Sequence, residues 1–131
     1  MQRSETLSVS FQASFDKAFN FIANPENLHL WTVDFALAPS LKVGEVYKVQ
    51  TPGGELDLFV KADPESGVID FYFGSGGKYR SSPSRLLRNE DGVVYIFTQF
   101  EPPNAPPGQF EALVGNVRKE LAILKELLES S

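Results

Sequence analysis

Cysteine is absent from this chain of 131 residues, and His29 is its single histidine. Without cysteine there are no disulfides, no thiolate zinc sites and no cysteine nucleophile. One imidazole cannot supply the multi-histidine sites common for zinc or iron. Carboxylates remain for Mg²⁺ or Ca²⁺, but no EF-hand-like acidic spacing is present, and no cofactor or metal is expected. No run approaches the roughly 18 apolar residues that span a bilayer, and the opening MQRSETLSV has no apolar h-region. The chain reads as cytoplasmic, with no membrane partner.

Positive charge is also scarce. Twelve Lys and Arg stand against seventeen Asp and Glu, a formal net charge of −5. The densest basic stretch holds only Lys78, Arg80, Arg85 and Arg88. That is too weak a field for nucleic acid, which is set aside as a partner. No internal repeat, low-complexity segment or linker divides the sequence, so one domain is expected over residues 1–131.

What the chain has in quantity is phenylalanine: eleven, beside four Tyr and one Trp. Each large ring buries roughly 150–250 Å². Such rings either fill a thick core or line an apolar cavity, and composition does not separate the two.

Leu7, Val9 and Phe11 alternate with Ser8 and Ser10, the period of a half-buried strand over Glu5 to Gln12. Ser14 then stands at an N-cap, with Asp16 in the first turn. Phe15, Ala18, Phe19 and Ile22 recur at helical spacing through Ala23, and Asn24-Pro25 starts a second, short helix ending about Trp31. Strands follow: a weak one over Phe35 to Ala38, then Glu45 to Gln50, Glu55 to Ala62 and Val68 to Phe73. Lys78 to Arg88, interrupted by Pro83, suits an edge or a bulge, and Val93 to Glu101 is the last strand. Turn residues punctuate them at Thr51 to Gly54, Asp63 to Gly67, Gly74 to Gly77 and Asn89 to Gly92. After a proline-rich connector, Phe110, Leu113, Val114, Val117, Leu121, Leu124 and Leu128 form the apolar stripe of one long helix. The order is that of an α+β protein: an antiparallel sheet with the final helix as its cover.

Here a resemblance becomes specific. FDKAFNFIANPENLHLW, carrying Asn24-Pro25-Glu26-Asn27-Leu28 and Trp31, resembles the opening of the START-like (SRPBCC) superfamily, where two short helices follow the first strand. LKVGEVYKVQTPGGELDLFV resembles the family's next strand and hairpin, and FEPPNAPPG before a striped helix is similar to its ending. The resemblance implies a Bet v 1-like helix-grip fold, about seven antiparallel strands wrapped on the C-terminal helix with a pocket between them. Relatives include lipid carriers, metabolite binders, polyketide cyclases/dehydratases and Hsp90 activators, so fold alone does not assign function.

Within that frame a small, mostly apolar molecule is the expected partner. Ile69, Phe71 and Phe73 are expected on the concave face, since Asp70 and Tyr72 suit solvent better. On the last strand both faces are mostly apolar. Tyr95 and Phe97 are expected inward, with the Tyr95 hydroxyl and Gln99 as polar handles. Val117 and Leu121 face them from the helix, and Trp31 either anchors packing or closes one end of the pocket. His29 with Asp34 is the one acid–base candidate, unsupported by any nucleophile elbow, and no catalytic residue is assigned. Arg80 and Arg85 fall on opposite faces. An inward arginine would pair with a ligand carboxylate, whereas two solvated surface charges are the expectation. The Gly74-Ser75-Gly76-Gly77 run is a turn, because it opens no helix. A cyclase/dehydratase-like enzyme and an Hsp90-activator-like interaction module are the alternatives to a binding protein. An exposed Phe59 or Phe100 would signal either a dimer face or nothing, and the sequence does not fix the oligomeric state.

Overall fold

Alternation at Leu7, Val9 and Phe11 builds strand β1 (Ser4–Phe11) in the computed structural model, which describes residues 1–130. Helix α1 (Phe15–Ala23) starts where the Ser14 hydroxyl accepts the Lys17 N–H, and it buries Phe15, Ala18, Phe19 and Ile22. Asn24 caps a single 3₁₀ turn, Pro25–Asn27, which runs into the short helix α2 (Leu28–Trp31). The remaining strands are β2 (Leu41–Val43), β3 (Val46–Thr51), β4 (Gly54–Asp63), β5 (Val68–Ser75), β6 (Lys78–Ser82), β7 (Ser84–Asn89) and β8 (Gly92–Phe100). Helix α3 (Gln109–Glu129) ends the chain's regular structure.

All pairings are antiparallel, in the order β1-β8-β7-β5-β4-β3-β2, with β6 attached to β5. Eight strands appear where about seven are expected, and Pro83 is the reason. It lies between β6 and β7 and lacks the N–H a ladder needs. After it the chain changes neighbours: β6 pairs with β5, whereas β7 pairs mainly with β8.

One sequence expectation fails. Phe35 to Ala38 is not a strand. The Thr32 carbonyl accepts the N–H groups of Phe35 and Ala36, which closes a turn. Only the Leu37 N–H reaches a strand, at the Gln50 carbonyl 2.8 Å away. The edge strand comes later, at Leu41–Val43.

Helix α3 lies chiefly along β1 and touches β8 and α2. Its Val117, Leu121, Leu124 and Leu128 are buried against β1, β8 and the two short helices in one apolar core. On the outer face of the sheet, Phe59 stacks on Tyr72 with ring centroids 5.0 Å apart, and Tyr79 meets Phe59 edge-on. Phe59 is therefore half-buried rather than exposed, while Phe100 is exposed. Among the described residues no helix is long and apolar enough to cross a membrane.

Candidate functional site

Strand register decides which side chains share the concave face. Leu7 pairs with Phe97, Val9 with Tyr95 and Phe11 with Val93, so the odd-numbered residues of β8 turn inward with the apolar side of β1. Phe73 pairs with Leu58 and Phe71 with Val60, which puts Ile69, Phe71 and Phe73 on that same face. Burial then falls in one direction along both strands. Val93 and Tyr95 are inaccessible, whereas Phe97 and Gln99 are half-buried. On β5, Ile69 and Phe71 are buried and Phe73 is half-buried. The face is packed solid at one end and open at the other.

The open end coincides with the break at Pro83. The Thr98 N–H still reaches the Pro83 carbonyl at 3.1 Å, but no ladder joins β6 to β8 beyond it. Ser82 and Arg80 pair with Phe71 and Phe73, so both occupy the inward side of β6. The Arg80 guanidinium lies 5.2 Å from the Phe73 ring centroid. Phe35 meets the same ring edge-on at 6.0 Å. Half-buried Val114 of α3 adds to this end, and Arg118 of α3 approaches Glu5, the register partner of Gln99.

At the packed end Trp31 is 3% exposed and meets Tyr95 edge to face. Val117 and Leu121 of α3 are buried in the same core. Burial raises the Tyr95 phenol well above its ordinary value, keeping it neutral. The Gln99 amide is engaged locally, donating to the Phe100 carbonyl at 2.8 Å.

The expected orientation of His29 by Asp34 does not occur. Asp34 pairs with Lys119 at 2.7 Å, and the buried His29 Nδ1 has no hydrogen-bond partner among the described residues. Arg85 does face outward and donates to the Ser66 carbonyl at 3.0 Å. Arg80 is exposed, as expected, yet its register puts it on the inward side of β6, with its guanidinium over an aromatic ring.

Sequence reasoning missed Glu120. It is 7% exposed, and its Oε2 accepts the Asp34 N–H at 3.0 Å, pinning the turn after α2 to α3. Burial, with the nearby Asp34 charge adding, pushes its carboxyl up to about 7, against the backbone N–H bonds and Lys119. The signal was present in the stripe: Glu120 follows Val117 by three and precedes Leu124 by four, the spacing of one helix face.

Two surface clefts lie elsewhere. One of about 260 Å³ is bounded by Ser10, Gln12, the Asn89–Gly92 turn, Lys125 and Glu129. The other, about 530 Å³, lies between Phe21, Asn27, Leu30 and Leu127. None of the side chains expected to hold a ligand lines either. Among the described residues no group of three or more His, Asp or Glu side chains is placed to hold a metal ion.

An open antiparallel sheet gripping a long C-terminal helix, with two short helices after the first strand, is the helix-grip architecture. The chain has a START-like (SRPBCC-like) fold. It superposes on a START superfamily protein from Mycobacterium smegmatis with a TM-score of 0.69, at 13% identity over 99% of both chains. The Aha1 protein of Colwellia psychrerythraea, a dimer in solution, gives a TM-score of 0.72 at 18% identity, over 97% of this chain and 96% of that one. The di-domain ARO/CYC protein BexL of the BE-7585A biosynthetic pathway gives 0.68 at 16% identity, over 95% of this chain and 45% of BexL. No known family profile matches the sequence, and no curated protein matches it.

Proposed function

We propose that this chain is a small-molecule binding protein that holds a mostly apolar ligand at the open end of its concave face. The observation that carries this reading is the matched loss of burial along β5 and β8. Exposure rises from Ile69 to Phe73 and from Tyr95 to Gln99, at the end where Pro83 releases β6 from β8. Aromatic rings left half-covered on an inner face retain apolar surface that a ligand would bury, at roughly 25 cal/mol per Å². The site is flanked by Phe35, Phe73, Phe97 and Val114, with Trp31 and Tyr95 at its floor. The START-like and ARO/CYC likenesses support this reading at the level of the fold.

Native mass spectrometry of the freshly purified protein, followed by organic extraction, tests the reading. A bound apolar molecule released on extraction is expected. Saturable quenching of Trp31, the single tryptophan, by the neutral probe 1-aminoanthracene is expected as well. A clean apo mass together with no saturable quenching would overturn the proposal.

A cyclase/dehydratase-like activity is a second reading, favoured by one observation. Glu120 is a buried carboxyl lifted to about 7, in the range where a side chain both gives and takes a proton near neutrality. Turnover of a candidate substrate that survives Glu120→Gln unchanged would remove it from that role.

A further inference from the structure

We propose that the ligand bound at this open end carries a carboxylate, and that Arg80 recognises it. The inference rests on the binding reading above and adds the ligand's chemical class.

Three observations on different levels lead to it. First, register places Arg80 on the inward side of β6, opposite Phe73, whereas Arg85 beyond Pro83 faces out. Second, the Arg80 guanidinium has no carboxylate or carbonyl partner among the described residues and instead lies over the Phe73 ring. Elsewhere arginines find oxygen acceptors: Arg3 takes Glu101 and Glu111, Arg118 approaches Glu5, and Arg85 takes the Ser66 carbonyl. Arg88, the other exception, lies 4.0 Å over Phe15, toward the packed end of the same face. In a chain with seventeen acidic residues, an unpaired guanidinium beside half-buried aromatic rings is not explained by a shortage of partners. Third, Ser82 sits one step deeper on the same inward side, 8% exposed, with its hydroxyl unbonded to the described residues.

The chemistry then converges. A guanidinium presents a planar fork of donors that matches a carboxylate bidentately, and a serine hydroxyl adds one more donor behind it. Phe73 beneath the guanidinium holds the fork by cation–π attraction without consuming its N–H donors. The apolar body of the ligand would lie inward, against Phe73 and Phe97. The ligand class is an amphipathic monocarboxylate: an aliphatic or aromatic body with one acidic end.

The test compares acids with their neutral amides of the same shape: decanoate against decanamide and 1-naphthoate against 1-naphthamide, titrated by Trp31 fluorescence at low ionic strength. At least one acid is expected to bind about tenfold more tightly than its amide, the scale of one charge-assisted bidentate pair. Arg80→Gln should erase that preference by weakening the acid far more than the amide, Arg80→Lys should keep part of it, and Arg85→Gln should leave it intact. Arg80 is exposed, so thermal unfolding of these variants should match the parent. Equal binding of acids and amides, or an acid preference that survives Arg80→Gln, overturns the carboxylate inference alone. If neither acids nor amides bind the parent, the binding reading falls, and this inference with it.

Discussion

Trp31 and Tyr95 meet edge to face, with ring centroids 6.0 Å apart and planes at 83°. One comes from the end of α2 and the other from the middle of β8, so the contact ties the helical layer to the sheet. Both rings are almost wholly buried, yet neither the Trp31 Nε1 nor the Tyr95 hydroxyl has a hydrogen-bond partner among the described residues. Ser84 beside the phenol gives its own hydrogen to the Ile69 carbonyl at 2.5 Å. It offers Tyr95 a lone pair, but no bond of normal geometry closes.

Removing that hydroxyl should therefore cost the folded state little. Tyr95→Phe is expected to be neutral or to stabilise by up to about 1 kcal/mol, because an unsatisfied buried donor is lost. Tyr95→Ala should destabilise by about 3–5 kcal/mol through the cavity it leaves. Urea unfolding measures both. A marked loss of stability in Tyr95→Phe would mean the hydroxyl is hydrogen-bonded in solution.

Glu120 should make stability fall as pH rises. Its folded value of about 7 exceeds its ordinary value of 4.5, so between those limits the native state holds more protons than the unfolded chain. The stabilisation is fully present below about pH 4.5 and lost as pH climbs through about 7. Glu120→Gln removes the dependence. It should be near neutral at pH 4.5 and gain about 1–3 kcal/mol at pH 8 relative to the parent. Denaturation at the two pH values checks this. Equal differences at both would contradict the assignment.

Two glycines predict opposite signs for one substitution. Gly67 has φ +82°, and a Cβ there would lie 2.0 Å from the Leu86 carbonyl oxygen. The Leu86 N–H also bonds the Gly67 carbonyl at 2.8 Å, joining the turn before β5 to β7. Gly67→Ala should cost about 3 kcal/mol or more. Gly115 lies within α3 with nothing within 4 Å of a Cβ. Gly115→Ala should raise stability by about 0.5–1 kcal/mol. Thermal melts of the two variants should move in opposite directions.

Phe73 and Phe97 separate binding from folding. Both are half-buried, so truncation to Ala should destabilise less than the about 2–5 kcal/mol expected for Ile69→Ala at the packed end. Their loss should nevertheless weaken capture of 1-aminoanthracene by about tenfold or more. Isothermal titration beside urea unfolding resolves the two effects. Binding unchanged in both variants would displace the site from this end.

The sequence by itself determined the local elements and their order. Alternation at Leu7, Val9 and Phe11, the caps at Ser14 and Asn24, and the stripe from Phe110 to Leu128 are local patterns with local causes, so they were legible. Phe35 to Ala38 misled because its apolar residues suggest a strand, whereas the N–H groups of Phe35 and Ala36 turn back to the Thr32 carbonyl and Glu120, from the distant helix α3, takes the adjacent Asp34 N–H. The inward faces of β5 and β8 could be proposed from pattern, but β8 is apolar on both sides. Only its register with β1 selects Tyr95, Phe97 and Gln99. Arg80 and Arg85 differ by an odd number of residues, which places them on opposite faces without saying which turns inward. Pairing of Arg80 with Phe73 decides that, and the exchange of strand partners at Pro83 leaves the open end beside it. Such choices rest on contacts between residues far apart in the chain, where burial is decided by what covers a side chain and not by its neighbours in sequence.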